Sequence, residues 1–200
     1  NTILSFHEVY ASSASELVTE IIQYSPIKIQ LTPIEVEALY AGIMLDTKEF
    51  TFKTGVRTFE AAAYLRKCGV DIIKVKQWFQ DDLRTYQTIS HIISKAEIVK
   101  NTIAISIYDE EEINTTIVIA KAADELLTIS GINASFVLGK SEDIIYISGR
   151  SIGDINVQLI LEKLGGGGHI TLAGAQLTNV SMEEALERLK TAIDEYIIEN

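Results

Sequence analysis

The spacing of apolar residues changes character about halfway along the chain. Up to about residue 96, apolar side chains recur at intervals of three or four, and Ser, Thr or Asp precedes most of these segments. This pattern is typical of capped amphipathic helices. A strand is predicted over Thr2–Val9, and the helices predicted after it are one that ends before Ser25-Pro26, then Ile34–Leu45, Phe59–Lys67 with Thr58 as its cap, Ile72–Phe79 and Leu83–Ala96.

From residue 97 onwards, the pattern alternates between strands and helices. The predicted elements are a strand over Glu97–Tyr108, a helix over Ile113–Thr128, a hairpin of Ala134–Gly139 and Ile144–Ser148, a helix over Asn156–Leu164, a strand over Leu172–Leu177 and a helix over Ser181–Ile198. The pattern therefore predicts an α/β protein with a mostly helical part over residues 1–80, a connecting helix over 81–96 and a second domain over 97–200. Two compact lobes with a cleft between them are expected.

Charge and composition narrow the classes of partner. The chain has 17 basic and 28 acidic residues, which gives a net charge of −11. Such a chain repels the backbone of a long nucleic acid, whereas a small phosphorylated ligand can still be held by backbone N–H groups. Cys68 is the single cysteine, so no internal disulfide forms, as is usual in a reducing compartment. No apolar run approaches the roughly 20 residues that span a bilayer.

Four consecutive glycines followed by a histidine form the most unusual segment. Gly165, Gly166, Gly167 and Gly168 are four of the 12 glycines, and His169 follows them. Ordering such a run costs much backbone entropy, and its N–H groups can form a concave anion site to which the histidine adds a donor. The alternative is a flexible loop or a glycine-rich helix end, although a helix end needs only one glycine.

Two further segments offer polar groups. Arg150 and Ser151 end a predicted strand about 15 residues before the glycines; the arginine fork suits a phosphate, although an arginine there is also commonly solvated. Asp46 ends the apolar helix segment Gly42–Thr47, where a carboxylate opposes the helix dipole. It is either a metal ligand or a turn residue, and one carboxylate does not hold a divalent cation.

These segments together resemble the DHH/DHHA1 phosphoesterases. Gly165–His169 followed by Ala173-Gly174-Ala175 resembles the GGGGH signature of the DHHA1 domain, and Gly42–Thr47 resembles the last metal-binding motif of the DHH domain. With Tyr10–Glu20, Asp46–Phe50 and Ser148–Leu177, the similarity extends over nearly the whole chain and is closest to GdpP-type cyclic-di-AMP phosphodiesterases. The resemblance implies the C-terminal, mostly helical portion of a DHH domain followed by a DHHA1 domain with a mixed sheet and packed helices.

The resemblance also implies an activity. Such enzymes hydrolyse cyclic di-AMP to pApA with two Mn²⁺ ions, as cytoplasmic domains of membrane-anchored bacterial proteins, in some cases as homodimers. It implies that Asp46 is a metal ligand and that Arg150, Ser151, Gly165–Gly168 and His169 bind substrate. The H-x-D-x-D motif and the Asp-His-His triplet are absent from the sequence and are expected upstream of Asn1. Alone, the chain is therefore expected neither to bind two metals nor to hydrolyse the substrate.

Two alternatives stay open at this point. One keeps the family and changes the substrate to short oligonucleotides, as in a nanoRNase or a single-strand exonuclease. The other is a non-catalytic nucleotide-binding module.

Overall fold

The structure is a computed structural model that describes residues 5–110 and 114–200. The chain divides into two compact units, Asn1–Gln80 and Asp81–Asn200. The first unit has its own hydrophobic core, and the second unit has hydrophobic cores on both faces of its sheet.

The described part of the first unit, residues 5–80, contains four helices. They are α1 (Ala14–Tyr24), α2 (Pro33–Asp46), α3 (Val56–Lys67) and α4 (Ile72–Trp78). Local capping fixes where they begin: the hydroxyl of Ser13 accepts the N–H of Glu16 at 3.0 Å, and the carboxylate of Glu35 accepts the N–H of Thr32 at 2.7 Å. Both pairs have the spacing that leads a chain into a helix. Side chains from α2, α3 and α4 form the core, with Ile43, Leu65 and Val75 fully buried.

Two predictions for the first unit are wrong. Residues 5–9 of the predicted strand Thr2–Val9 are not in a strand, and its first residues lie outside the described part of the chain. Helix α3 begins at Val56 rather than Phe59. Thr58 lies inside its first turn, where its hydroxyl accepts the N–H of Gly55 at 3.1 Å. The threonine therefore supports the helix end as a first-turn residue rather than as the cap itself.

The second unit is an α/β layer structure. Its elements are α5 (Leu83–Ser94), β1 (Glu97–Val99), β2 (Ile103–Tyr108), α6 (Thr115–Leu126), β3 (Ala134–Ser141), β4 (Ile144–Ser151), α7 (Val157–Glu162), β5 (Gly167–His169), β6 (Leu172–Thr178) and α8 (Met182–Glu199). The strands form one sheet in the order β1-β2-β3-β4-β6-β5. β2 and β3 are parallel because α6 connects them as a crossover, and the other neighbouring strands are antiparallel. The predicted mixed sheet with packed helices is confirmed.

Strand alternation sends successive side chains to two different cores. On one face, Phe136 and Ile147 pack against α7 and α8. On the other face, Ala104 and Val137 pack against α5 and α6. Along β6 only one face is covered: Ala173, Ala175 and Leu177 are buried, whereas the residues between them are exposed. The sheet therefore has an open face at its β6–β5 end.

Two elements differ from the sequence-based expectation. The predicted strand Glu97–Tyr108 is an antiparallel pair, because the chain reverses between Val99 and Ile103. Lys100 and Asn101 have φ values of 51° and 68° in this reversal, the left-handed pair that a tight hairpin turn requires. The predicted glycine loop is partly strand, since Gly167–His169 pairs with β6. Helix α6 begins at Thr115, and Ile113, where its start was predicted, lies outside the described residues.

Candidate functional site

A pocket of about 750 Å³ lies over the open face of the sheet. Its floor is made by β4, β6 and the glycine segment, and its wall by Thr116 and Ile119 of α6. The pocket exists because α6 covers β2, β3 and β4 but leaves β6 bare. It is large enough for a small organic ligand.

The sheet register arranges the floor in rows. Arg150 pairs with Leu172, which pairs with His169, so these three residues lie side by side across β4, β6 and β5. Ser148, Gly174 and Gly167 form the next row in the same way. Directly opposite residues in antiparallel strands point to the same face, so both rows face the pocket side of the sheet.

Arg150 is the cation of the pocket and is held on several sides. It is 8% exposed, and its Nη1 donates to the hydroxyl of Ser148 and to the carbonyl of Gly149, both at 2.9 Å. Its Nε lies 3.2 Å from Oδ1 of Asp124 on α6. Arg150 is thus fixed by Ser148, Gly149 and Asp124, and its side chain forms part of the pocket lining.

The four glycines have four different environments. Gly165 has a φ of 76°, and its N–H donates to the carbonyl of Glu162 at 3.0 Å, while that of Gly166 donates to Leu161 at 2.9 Å. These two bonds close the C-terminus of α7 in the Schellman arrangement. The N–H groups of Gly165 and Gly166 are therefore not free to contribute to the predicted anion site, and the glycine-rich helix end is part of the explanation.

Gly166 and Gly168 are required by close packing, whereas Gly167 has open space where a side chain would lie. A Cβ on Gly166 would lie 2.3 Å from the carbonyl oxygen of Gly174, and one on Gly168 would lie 2.3 Å from that of Leu172. A Cβ on Gly167 would have no atom within 4 Å. Gly167 lines the pocket, and its missing side chain leaves the floor of the pocket as bare backbone.

Ser151 and His169 have different positions relative to the pocket. Ser151 follows Arg150 in the strand and therefore points to the opposite face; its hydroxyl donates to the carbonyl of Ile170 at 3.4 Å and accepts the N–H of Gly153 at 3.2 Å. Arg150 and Ser151 therefore point to opposite faces of the sheet. His169 is exposed on β5 and lies two strands from Arg150, about 10 Å at the usual strand spacing.

Asp46 is in the first unit, as the last residue of α2, and is exposed. Thr47 after it is buried, and its hydroxyl donates to the carbonyl of Ile43 at 2.7 Å and accepts the N–H of Phe50 at 2.9 Å. The chain then passes through left-handed φ angles of 45° to 64° at Lys48–Phe50. Within residues 5–110 and 114–200, no three His, Cys, Asp or Glu side chains form a group that would hold a metal ion.

Several pocket residues were not among the predicted site residues. They include Thr116, Ile119, Tyr146, Ser148, Leu172 and Gln176. For β4, the alternation of side chains was a usable signal, because it places Tyr146 and Ser148 on the same face as Arg150. The contribution of α6 depends on how the helix packs on the sheet, and nothing in the local sequence indicates it.

Comparison with known proteins gives the class of this fold and site. Residues 95–199 match the model of the DHHA1 domain, so the chain belongs to the DHHA1 domain family, as the glycine-histidine signature predicted. An exopolyphosphatase-related protein from Bacteroides fragilis has a similar fold, with a TM-score of 0.84 and 21% identity over 97% of this chain and 59% of that one.

The particular relatives are cyclic-di-AMP phosphodiesterases. The chain is 48% identical over 97% of its length to the cyclic-di-AMP phosphodiesterase GdpP of Geobacillus thermodenitrificans. It is 46% identical, again over 97% of its length, to the cyclic-di-AMP phosphodiesterase PdeA of Listeria monocytogenes. The predicted similarity to GdpP-type enzymes is thus confirmed. The chain spans 30% of the length of these relatives. Among the described residues, no helix has both the length and the apolar character of a membrane span.

Proposed function

We propose that the second unit is the substrate-holding part of a phosphodiesterase that hydrolyses cyclic di-AMP to pApA. The observation that carries the proposal is Arg150, a nearly buried and firmly held arginine in the floor of a pocket, beside the bare backbone of Gly167 and Gly174. Two relatives at 46–48% identity carry the name of this activity. The proposal extends that name to this chain as a part of such an enzyme.

Two features of the pocket suit a phosphate. The guanidinium group supplies charge and directional donors. The row of Ser148, Gly174 and Gly167 has little side chain above the backbone, so a phosphate can come close to the floor. His169 lies on the same face of the sheet beyond Leu172 and outside the pocket lining, so it is a donor for a part of the ligand that extends past the pocket. Together these groups bind and orient a phosphodiester without requiring an excess of positive charge.

Cleavage is not assigned to this chain. The resemblance implies Mn²⁺ and makes Asp46 a metal ligand, but the described residues contain no group of ligands around it. Asp46 as a ligand stays a prediction for the complete enzyme, as do the homodimer and the membrane anchor. The 200-residue chain is expected to hold the substrate and to leave it intact.

The experiment is a titration of the chain with cyclic di-AMP and with pApA, read by calorimetry. Arg150→Ala is expected to weaken binding by about ten- to a hundredfold, the cost of a charged hydrogen bond. Arg188→Ala is the matched control, because Arg188 pairs with Glu184 on α8 and is absent from the pocket lining. If Arg150→Ala retains full affinity while it stays folded, the pocket is not the substrate site.

Short oligonucleotides are the second candidate substrate. A bifunctional oligoribonuclease and PAP phosphatase, NrnA of Thermus thermophilus, is 28% identical over 77% of this chain. The pocket is also bordered by an edge strand, β5, beside which a linear ligand can continue. Titration with di- and trinucleotides alongside cyclic di-AMP ranks the two substrate classes. A preference for the oligonucleotides would favour this candidate.

A further inference from the structure

The end of the pocket away from Arg150 has a different chemical character. Tyr146 and Gln176 lie directly opposite each other in the β4–β6 pair, and both line the pocket. Tyr146 is four residues before Arg150 in β4, a distance of about 13 Å along a strand. Thr116 and Ile119 of α6 line the same cavity. None of these four side chains is charged, so this end does not attract a second phosphate.

A flat ring with hydrogen-bonding groups on its edge fits this uncharged end of the pocket. The partly buried Tyr146 packs its ring against the core under α6, which restricts its motion, and an aromatic ring held in this way is a surface on which a base stacks. Gln176 is exposed on the open face of β6. Its amide carries a donor and an acceptor side by side, the combination that pairs with adjacent groups on the edge of a base, as glutamine does with adenine.

The rows of paired residues also place the two ends of the pocket in the order of the phosphate and the base of one nucleotide. Arg150 lies in the first row, Ser148 and the two glycines in the second, and Tyr146 with Gln176 in the third. A ligand laid along β6 thus has its phosphate over the first two rows and its base over the third. The bare glycines between the ends leave room for the sugar.

We infer that Tyr146 and Gln176 form a nucleobase subsite, with Gln176 reading the hydrogen-bonding edge of the base. The inference rests on the proposed function, because it takes the Arg150 end of the pocket as the phosphate site. It adds a requirement that phosphate binding alone does not make. A ligand that has the phosphate and sugar but no base leaves this end of the pocket empty.

The test compares AMP, ribose 5-phosphate and inorganic phosphate in titrations of the 200-residue chain. The wild type is expected to bind AMP at least roughly tenfold more tightly than ribose 5-phosphate, the scale of one stacked base. Gln176→Ala is expected to reduce that ratio severalfold without changing the affinity for ribose 5-phosphate. Thr178→Ala is the matched control, since Thr178 is exposed two residues further along the same face of β6 and outside the pocket lining.

The outcomes separate the two proposals. If Gln176→Ala leaves the ratio unchanged, or if the wild type binds AMP and ribose 5-phosphate equally, the base subsite is refuted while phosphate binding at Arg150 stands. If none of the three ligands binds to the folded chain, the proposed function fails as well. Tyr146→Leu is a second test of the subsite, because it keeps an apolar side chain against α6 but removes the stacking ring. A folded variant in which the ratio of the AMP and ribose 5-phosphate affinities is unchanged also refutes the subsite.

Discussion

Gly167 allows a direct test of the pocket, because a side chain there meets only empty space. An added Cβ has no atom within 4 Å, and the residue does not have a positive φ. Replacing a glycine by alanine at a compatible backbone position stabilises a protein by about 0.4–1 kcal/mol through the unfolded state. For a chain of this size, the melting temperature of Gly167→Ala is expected to rise by up to about 4 °C.

Ligand binding by the same variant is expected to change in the opposite direction. The new methyl group rises from the floor of the pocket beside Gly174 and takes space that the ligand would occupy. Gly167→Val adds two further methyl groups in a strand position that tolerates valine. Binding of cyclic di-AMP is expected to weaken by about tenfold for alanine, equal to ~1.4 kcal/mol, and further for valine.

The neighbouring glycines are the controls. Gly166→Ala places a Cβ 2.3 Å from the carbonyl oxygen of Gly174, an overpacking that costs about 1–3 kcal/mol. Gly168→Ala combines a similar collision with a φ of 151°. Thermal unfolding and calorimetry on the three alanine variants check the scheme. The reasoning is refuted if Gly167→Ala unfolds at lower temperature than Gly166→Ala, or if it binds cyclic di-AMP as tightly as the wild type does.

Three other substitutions test contacts elsewhere in the chain. Ser148→Ala removes the hydroxyl that accepts from Arg150; nucleotide affinity is expected to fall by about 1 kcal/mol, and Ser148→Thr should restore it, so equal affinities in calorimetry would count against this contact. Gly42→Ala places a Cβ 2.1 Å from Oγ of Ser15 on α1 and should cost about 1–3 kcal/mol in denaturant unfolding, with partial recovery in the double variant with Ser15→Ala. Asp82 caps α5, and the N–H and hydroxyl that it accepts from Thr85 hold the pKa of its carboxyl below the usual value. Its stabilising effect is therefore present above the unfolded-state pKa and is lost as the pH falls through the lowered folded-state pKa; the decrease in unfolding free energy on acidification should be smaller in Asp82→Ala than in the wild type.

Local signals predicted most of the elements. The pairs Thr32 with Glu35 and Ser181 with Glu184 have the spacing of helix starts, and both make the expected contacts. These features depend on residues three positions apart, so the sequence displays them directly. The strand β5 was missed because three residues rich in glycine have no strand preference of their own. They form a strand only through pairing with β6.

The sequence predicted some of the residues of the site, but it did not predict how their side chains are arranged. The sequence pointed to Arg150 and to the glycine segment, and both line the pocket. It did not indicate Gln176, because a glutamine in an alternating strand is an ordinary exposed residue until the register places it opposite Tyr146. The expectation that the Ser151 side chain binds substrate beside Arg150 conflicts with strand alternation, which turns adjacent side chains to opposite faces.

The four glycines also bear on how distant sequences with the same signature are interpreted. Gly165 ends a helix, and Gly166 and Gly168 allow β6 to pack closely against the glycine segment. These three glycines are therefore expected in homologues that share the fold, whether or not they bind a nucleotide. Of the four glycines, only Gly167 is expected to be required for ligand binding rather than for the fold. A homologue that has the other three glycines but a bulky residue at the position of Gly167 is expected to have the same fold without binding the substrate. This position therefore distinguishes homologues that bind the substrate from those that share only the fold.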